Sequence, residues 1–139
     1  MTSPTRTRPI ALAAVCDVVA ILVFVIIGRF NHDDGLTIPG IFSTFWPFAI
    51  GGAVGWSIAY VIAHVRSGEI GDHDFRPENL VPDGILTWIG AVAIGMILRD
   101  QFGQGVAVSF VIVATIVLGV FLLGWRAARG RLARRAARP

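Results

Sequence analysis

Four long apolar runs, at 10–28, 45–63, 84–98 and 106–125, dominate this 139-residue chain. Such runs have few folded destinations. In lipid, every backbone N–H and C=O must find its partner inside the protein, so a spanning segment is a helix or a strand of a closed barrel. A helix crosses with about 20 apolar residues, in a range of about 17–25. The first, second and fourth runs meet that length. The third spans only about 22 Å at a rise of about 1.5 Å per residue. Leu80 and Val81 lengthen its inner end, and Arg99 can snorkel outward at the other. The spans are therefore placed at about 10–28, 45–63, 82–99 and 106–125.

Charge placement tests this count independently. Only 15% of the residues are charged, against about a quarter in an ordinary soluble domain. All twelve basic residues are arginine. With four spans, Arg6, Arg8, Arg66, Arg76, Arg126, Arg129, Arg131, Arg134, Arg135 and Arg138 share one side of the membrane. Arg29 and Arg99 alone take the other. Positive charge marks the cytoplasmic side. Three spans would put the Arg-rich tail opposite the basic N-terminus. The expected fold is all-α: an integral membrane four-helix bundle with both termini cytoplasmic. It comprises an N-terminal segment 1–9, a four-helix domain 10–125 and a basic tail 126–139, in a multi-pass protein of the cell membrane. Arg6 and Arg8 before an apolar stretch have the layout of a signal peptide. The stretch is too long and lacks a small-x-small cleavage site, so it is expected to remain as the first span.

Local signals mark the helix ends. Pro9 and Pro47 stand near the starts of the first two spans, where a missing N–H costs little. Asp83 is placed to N-cap the third. Phe45, Trp46 and Phe48 form an aromatic anchor at the outer interface, and Trp125 one at the inner interface. Gly51 and Gly55 make a small-xxx-small step, suited either to packing within the bundle or to a homodimer seam. Gly55-Trp56 and Gly124-Trp125 repeat a dipeptide 69 residues apart. A depth count puts Trp56 near mid-membrane and Trp125 at the interface, so the repeat carries no weight.

Asp17 is the charged residue well inside a span. An ionised carboxylate there costs roughly 2.5–3.5 kcal/mol on insertion scales, so it should face other helices. Depth counting sets Trp56, Ser57, Tyr60, Thr87, Trp88 and Thr115 at a similar level, as a polar layer around it. Two readings stand: an interhelical hydrogen bond that locks the bundle, and a proton or cation site. Arg29 and Arg99 end the first and third spans on the outer side. They either snorkel to lipid phosphate or form a paired site for an anionic headgroup or for Asp33, Asp34 or Asp100. His32-Asp33-Asp34 and Asp72-His73-Asp74 lie on opposite sides of the membrane and lack helix-spaced ligand pairs, so no metal site is expected. The single Cys16 excludes an intrachain disulfide.

The pattern Asp17, Ile27-Gly28-Arg29, His32, Trp46-Pro47-Phe48, Gly55-Trp56, Thr87-Trp88, Gly95-Met96-Ile97-Leu98-Arg99, Gly103-Gln104-Gly105 and Leu122-Leu123-Gly124-Trp125-Arg126 resembles a family of small prokaryotic membrane proteins. That family is common in actinobacteria and is catalogued only as a domain of unknown function. The resemblance runs from about Ala11 to Arg126. It implies four membrane helices and no known activity.

No Ser/His/Asp arrangement, phosphate-cradling glycine loop or pair of catalytic carboxylates in one leaflet is present, so neither an enzyme nor a cofactor is expected. The expected role is a non-catalytic accessory or scaffold with a membrane-protein partner; a parallel homodimer goes with the alternative reading. The alternative is a small oligomeric proton- or cation-coupled transporter using Asp17. Its layout is similar to the small multidrug resistance transporters, but ten arginines against two argue for one fixed orientation. The arginine tail is suited to anionic lipid headgroups. It lacks the interleaved aromatics of a nucleic-acid surface.

Overall fold

The computed structural model describes residues 7–32, 35–67 and 75–138. Asp33, Asp34, Glu69, Asp72, His73, Asp74, Arg6 and the Arg8 side chain lie outside the described residues. Four helices follow in order: α1 (Thr7–Asn31), α2 (Ile38–Ser67), α3 (Ile85–Gln101) and α4 (Val108–Ala136). All four are long and apolar enough to cross a membrane, the third when the preceding turn from Leu80 is included. There is no strand among the described residues.

Contacts fix an up-down-up-down order. The C-terminal end of α1 meets the N-terminal end of α2 through Arg29 and Thr44. Along α2 and α3, Gly51 lies against Gly90 and Gly55 against Leu86, an antiparallel register. Trp88 of α3 bonds the Thr115 carbonyl of α4. Phe24 of α1 faces Phe110 of α4, while Asp17 faces Arg126 further along. Both described ends of the chain therefore lie at one end of the bundle, and the α1–α2 and α3–α4 connections at the far end.

Packing is uneven, and the sequence explains why. The most apolar windows of α1 and α4 have mean hydropathies of 3.1 and 2.5 and are 28% and 22% buried. Those of α2 and α3 reach only 1.6 and 1.8 but are 33% and 39% buried. In lipid, apolar character alone gives helices no reason to associate, and close approach at small residues does. The α2–α3 seam is where glycines bring two backbones together, at Gly51, Gly55 and Gly90. A Cβ on Gly51 would fall 2.5 Å from the Gly90 carbonyl oxygen, and one on Gly90 the same distance from that of Gly51. The Gly51/Gly55 step thus packs inside the bundle. Large apolar side chains such as Leu12, Val19, Val61, Ile97 and Ile116 point outward. On a soluble monomer such a surface would be an association patch; on these helices it is the lipid-facing one.

Several helix ends differ from their sequence signals. α2 starts well before its apolar run, because Thr37 caps it: its Oγ1 accepts the Gly40 N–H at 3.2 Å. Pro47 is therefore interior to the helix and buried. Asp83 is not an N-cap. It lies buried within the turn Leu80–Gly84, which is non-helical at Val81, and its backbone carbonyl accepts the Thr87 hydroxyl at 2.8 Å. Phe48 is not an interface anchor but a core residue with no exposure. It packs edge-on to Phe24 at 5.3 Å, in room left by Gly95. Trp46 does stay near the far end, edge-on to Phe102 at 4.9 Å.

Candidate functional site

Two buried stripes build the site. On α1, Ala13, Asp17, Ile21 and Val25 recur every four residues and are all at most 6% exposed. On α4, Ala114, Leu118, Leu122 and Arg126 do the same at 0–2%. Four-residue steps share one helix face. The antiparallel pairing of the two faces puts Asp17 opposite Arg126.

The pair is bidentate. Arg126 NH1 donates to Asp17 Oδ1 and NH2 to Oδ2, each at 2.7 Å. Two indoles complete the enclosure: Trp56 Nε1–H donates to Oδ2 at 2.8 Å and Trp125 Nε1–H to Oδ1 at 2.9 Å. The guanidinium is held from behind as well. Its Nε donates to the Pro77 carbonyl and NH1 to the Leu122 carbonyl, both at 2.8 Å. One carboxylate thus ties α1 to α2 and α4, and Arg126 extends the tie to the segment entering α3. A buried charge is tolerable where a partner and hydrogen bonds replace water, and this geometry supplies both.

Gly84 makes room for the arginine stem. A Cβ there would fall 2.6 Å from Arg126 Cδ and 3.1 Å from its Nε. The stem cannot swing aside without breaking the pair. Gly84→Ala is expected to destabilise the protein by about 1–3 kcal/mol, read as a lower unfolding midpoint in detergent.

The polar layer expected around Asp17 is only partly assembled. Trp56 bonds the carboxylate. Ser57 and Thr87 line the same cleft of about 360 Å³ between α1 and α2, but their hydroxyls bond the backbone carbonyls of Ala53 and Asp83. Tyr60 instead lies edge-on to Phe75 and at a tilt against His64. Trp88 and Thr115 meet each other across α3 and α4: the indole donates to the Thr115 carbonyl, and that hydroxyl turns back to Val111. A hydroxyl in a helix satisfies itself locally with the carbonyl four residues back. Depth alone therefore does not recruit it to a distant carboxylate.

Arg126 and Trp125 belong to the site although depth counting does not bring them to Asp17. By sequence Arg126 groups with the tail, because it ends an apolar run and opens a series of arginines. Its phase with Ala114, Leu118 and Leu122 is the signal that separates it from them. Trp125 is no simple interface anchor, and it meets Trp56 at one carboxylate despite their different counted depths. The count fails because α4 continues without a break to Ala136, so the end of the apolar run is not a helix end.

At the far end, Arg29 donates from Nε to the Gly35 carbonyl at 2.9 Å and from NH1 to Thr44 Oγ1 at 3.2 Å. Arg99 donates to Gln104 Oε1 at 3.0 Å and lies 4.6 Å from the Phe110 ring centroid. Gly103 and Gly105 both take positive φ, which lets the turn after α3 fold its carbonyls toward Arg99. The two arginines line one cavity.

Four apolar antiparallel helices closed by an internal ion pair define a multi-pass α-helical membrane protein. Within that class, the chain belongs to the family described as "Protein of unknown function (DUF3054)", matched over residues 14–129. The match takes in Asp17, Trp56, Trp125 and Arg126 and stops short of Arg131, Arg134, Arg135 and Arg138. Comparison with curated proteins and with solved structures gives no match.

Proposed function

We propose that this chain is a non-catalytic component of the cell membrane, an accessory or scaffold subunit with both termini in the cytoplasm. The observation that carries the reading is the enclosure of Asp17 by four N–H donors from three side chains. Protonating either oxygen would set an O–H against an N–H, and a cation would have to displace the guanidinium. Such a carboxylate acts as a bundle lock and is poorly placed to cycle a proton or ion, which counts against the transporter reading. With Arg126 inside the bundle, nine arginines still fall on the side of the termini against two on the other, so the orientation argument is kept. Along the end of α4, the exposed Arg131, Arg134 and Arg135 suit anionic headgroups, at about 1 kcal/mol for each residue near the surface.

The scaffold reading predicts a stoichiometric membrane-protein partner after affinity purification in mild detergent. Recovery of a lone homo-oligomer would count against it. In liposomes loaded with a pH-sensitive dye, the protein is expected to add no proton flux over protein-free vesicles. A flux abolished by Asp17→Asn in a folded variant would establish the transporter instead.

A further inference from the structure

The far end of the bundle holds a built cationic cavity that the ion-pair lock does not use. Its volume is about 330 Å³, and all four helices or their ends contribute to its wall. That volume lies within the roughly 300–1,000 Å³ of small-ligand sites. Arg29 comes from α1 and Arg99 from α3, each braced by the contacts described above. Braced guanidinium groups lose little freedom on binding, and their planar forks match phosphate oxygens. Thr44 and Ser109 add hydroxyls and His32 an imidazole to the wall, and Phe24, Val25, Phe110 and Val113 make up its apolar part.

A separate groove lies nearer the termini end on the same two helices, lined by Val19, Ala20, Val23, Val120 and Phe121 among others. A cationic pocket at one end of α1 and α4, with an apolar groove further along the same two helices, has the polarity of one class of molecule. We propose that the cavity seats the phosphate of an anionic membrane lipid on Arg29 and Arg99, with one acyl chain along the α1–α4 groove. The site is separate from the arginine tail, which lies at the opposite end of the bundle.

The test first removes the exposed charge at the end of α4. In protein carrying Arg131→Gln, Arg134→Gln and Arg135→Gln, purified in neutral detergent, phosphatidylglycerol is titrated and bound lipid is counted by native mass spectrometry. Phosphatidylcholine and inorganic phosphate serve as comparison ligands. One phosphatidylglycerol is expected to bind, about tenfold or more tighter than phosphatidylcholine. Adding Arg29→Gln with Arg99→Gln is expected to remove that preference. Gly28→Leu gives a second arm, because Gly28 lines the cavity and a Cβ there meets nothing within 4 Å. It fills the cavity while leaving both arginines, and should weaken the lipid about tenfold with the unfolding midpoint retained. Binding unchanged in both variants overturns the proposal. Tight binding of inorganic phosphate with no preference for lipid overturns the assignment to a lipid. So does a lipid that binds only after Asp33→Asn and Asp34→Asn, since the chain's own carboxylates would then be the occupants.

Discussion

Asp17→Asn is expected to destabilise the protein by about 3–5 kcal/mol, the usual cost of breaking a buried ion pair by removing one partner. The amide keeps one acceptor oxygen but turns an NH2 group toward donors. Arg126 is then left buried and held to the Pro77 and Leu122 carbonyls, without its counter-charge. Trp56 and Trp125, which donate to different oxygens, can no longer both be served. The measurement is reversible unfolding in mixed micelles, comparing Asp17→Asn, Arg126→Gln and the double variant. The coupling energy of that cycle isolates the pair from the packing around it. Replacing both partners by apolar residues, as in Asp17→Leu with Arg126→Met, should recover much of the loss, because no orphaned charge remains. A cost below about 0.5 kcal/mol for Asp17→Asn would place it among ordinary surface changes and would show that the carboxylate does not lock the bundle.

Much of this architecture is legible in the sequence, for physical reasons. Four apolar runs with arginine on one side admit few arrangements in lipid, so the number and alternation of helices follow. Asp17 stands out because an unpartnered carboxylate in a span is costly, and Trp56 because an indole at the same level is a fitting donor. What the sequence hides is the partner. Arg126 looks like the first residue of a solvated tail, and only its four-residue phase with Leu118 and Leu122 says otherwise. Depth counting treats each span as starting and ending with its apolar run. α2 begins at a threonine cap ahead of that run and α4 runs on beyond its own, so levels inferred from run ends are shifted. That counting draws Ser57, Thr87 and Thr115 toward Asp17, whereas each bonds a carbonyl four residues back. Phe48 has the same composition signal as Trp46. Only the missing side chain of Gly95, across the α2–α3 seam, sends it inward.

That seam gives the second large effect. Gly55→Val is expected to destabilise the protein by about 3 kcal/mol or more, above the usual 1–3 for an overpacked site. Its Cβ would press on the backbone of Leu86 and Thr87, where no side chain can move away. Gly124→Ala makes the contrast within one protein. It too lies inside a helix, but nothing stands within 4 Å of its Cβ. There the greater helix propensity of alanine operates alone, and about 0.5–1 kcal/mol of stabilisation is expected. Opposite signs from two glycines in helices would show that the α2–α3 seam is set by backbone approach and not by helix propensity. Light scattering on the same samples separates this from association between copies. If Gly51 and Gly55 formed a seam between two chains, Gly55→Val would lower the oligomeric state and leave the monomer's unfolding midpoint in place. Packed against Gly90 and Leu86 of the same chain, Gly55 should instead, when replaced, lower the midpoint at every protein concentration.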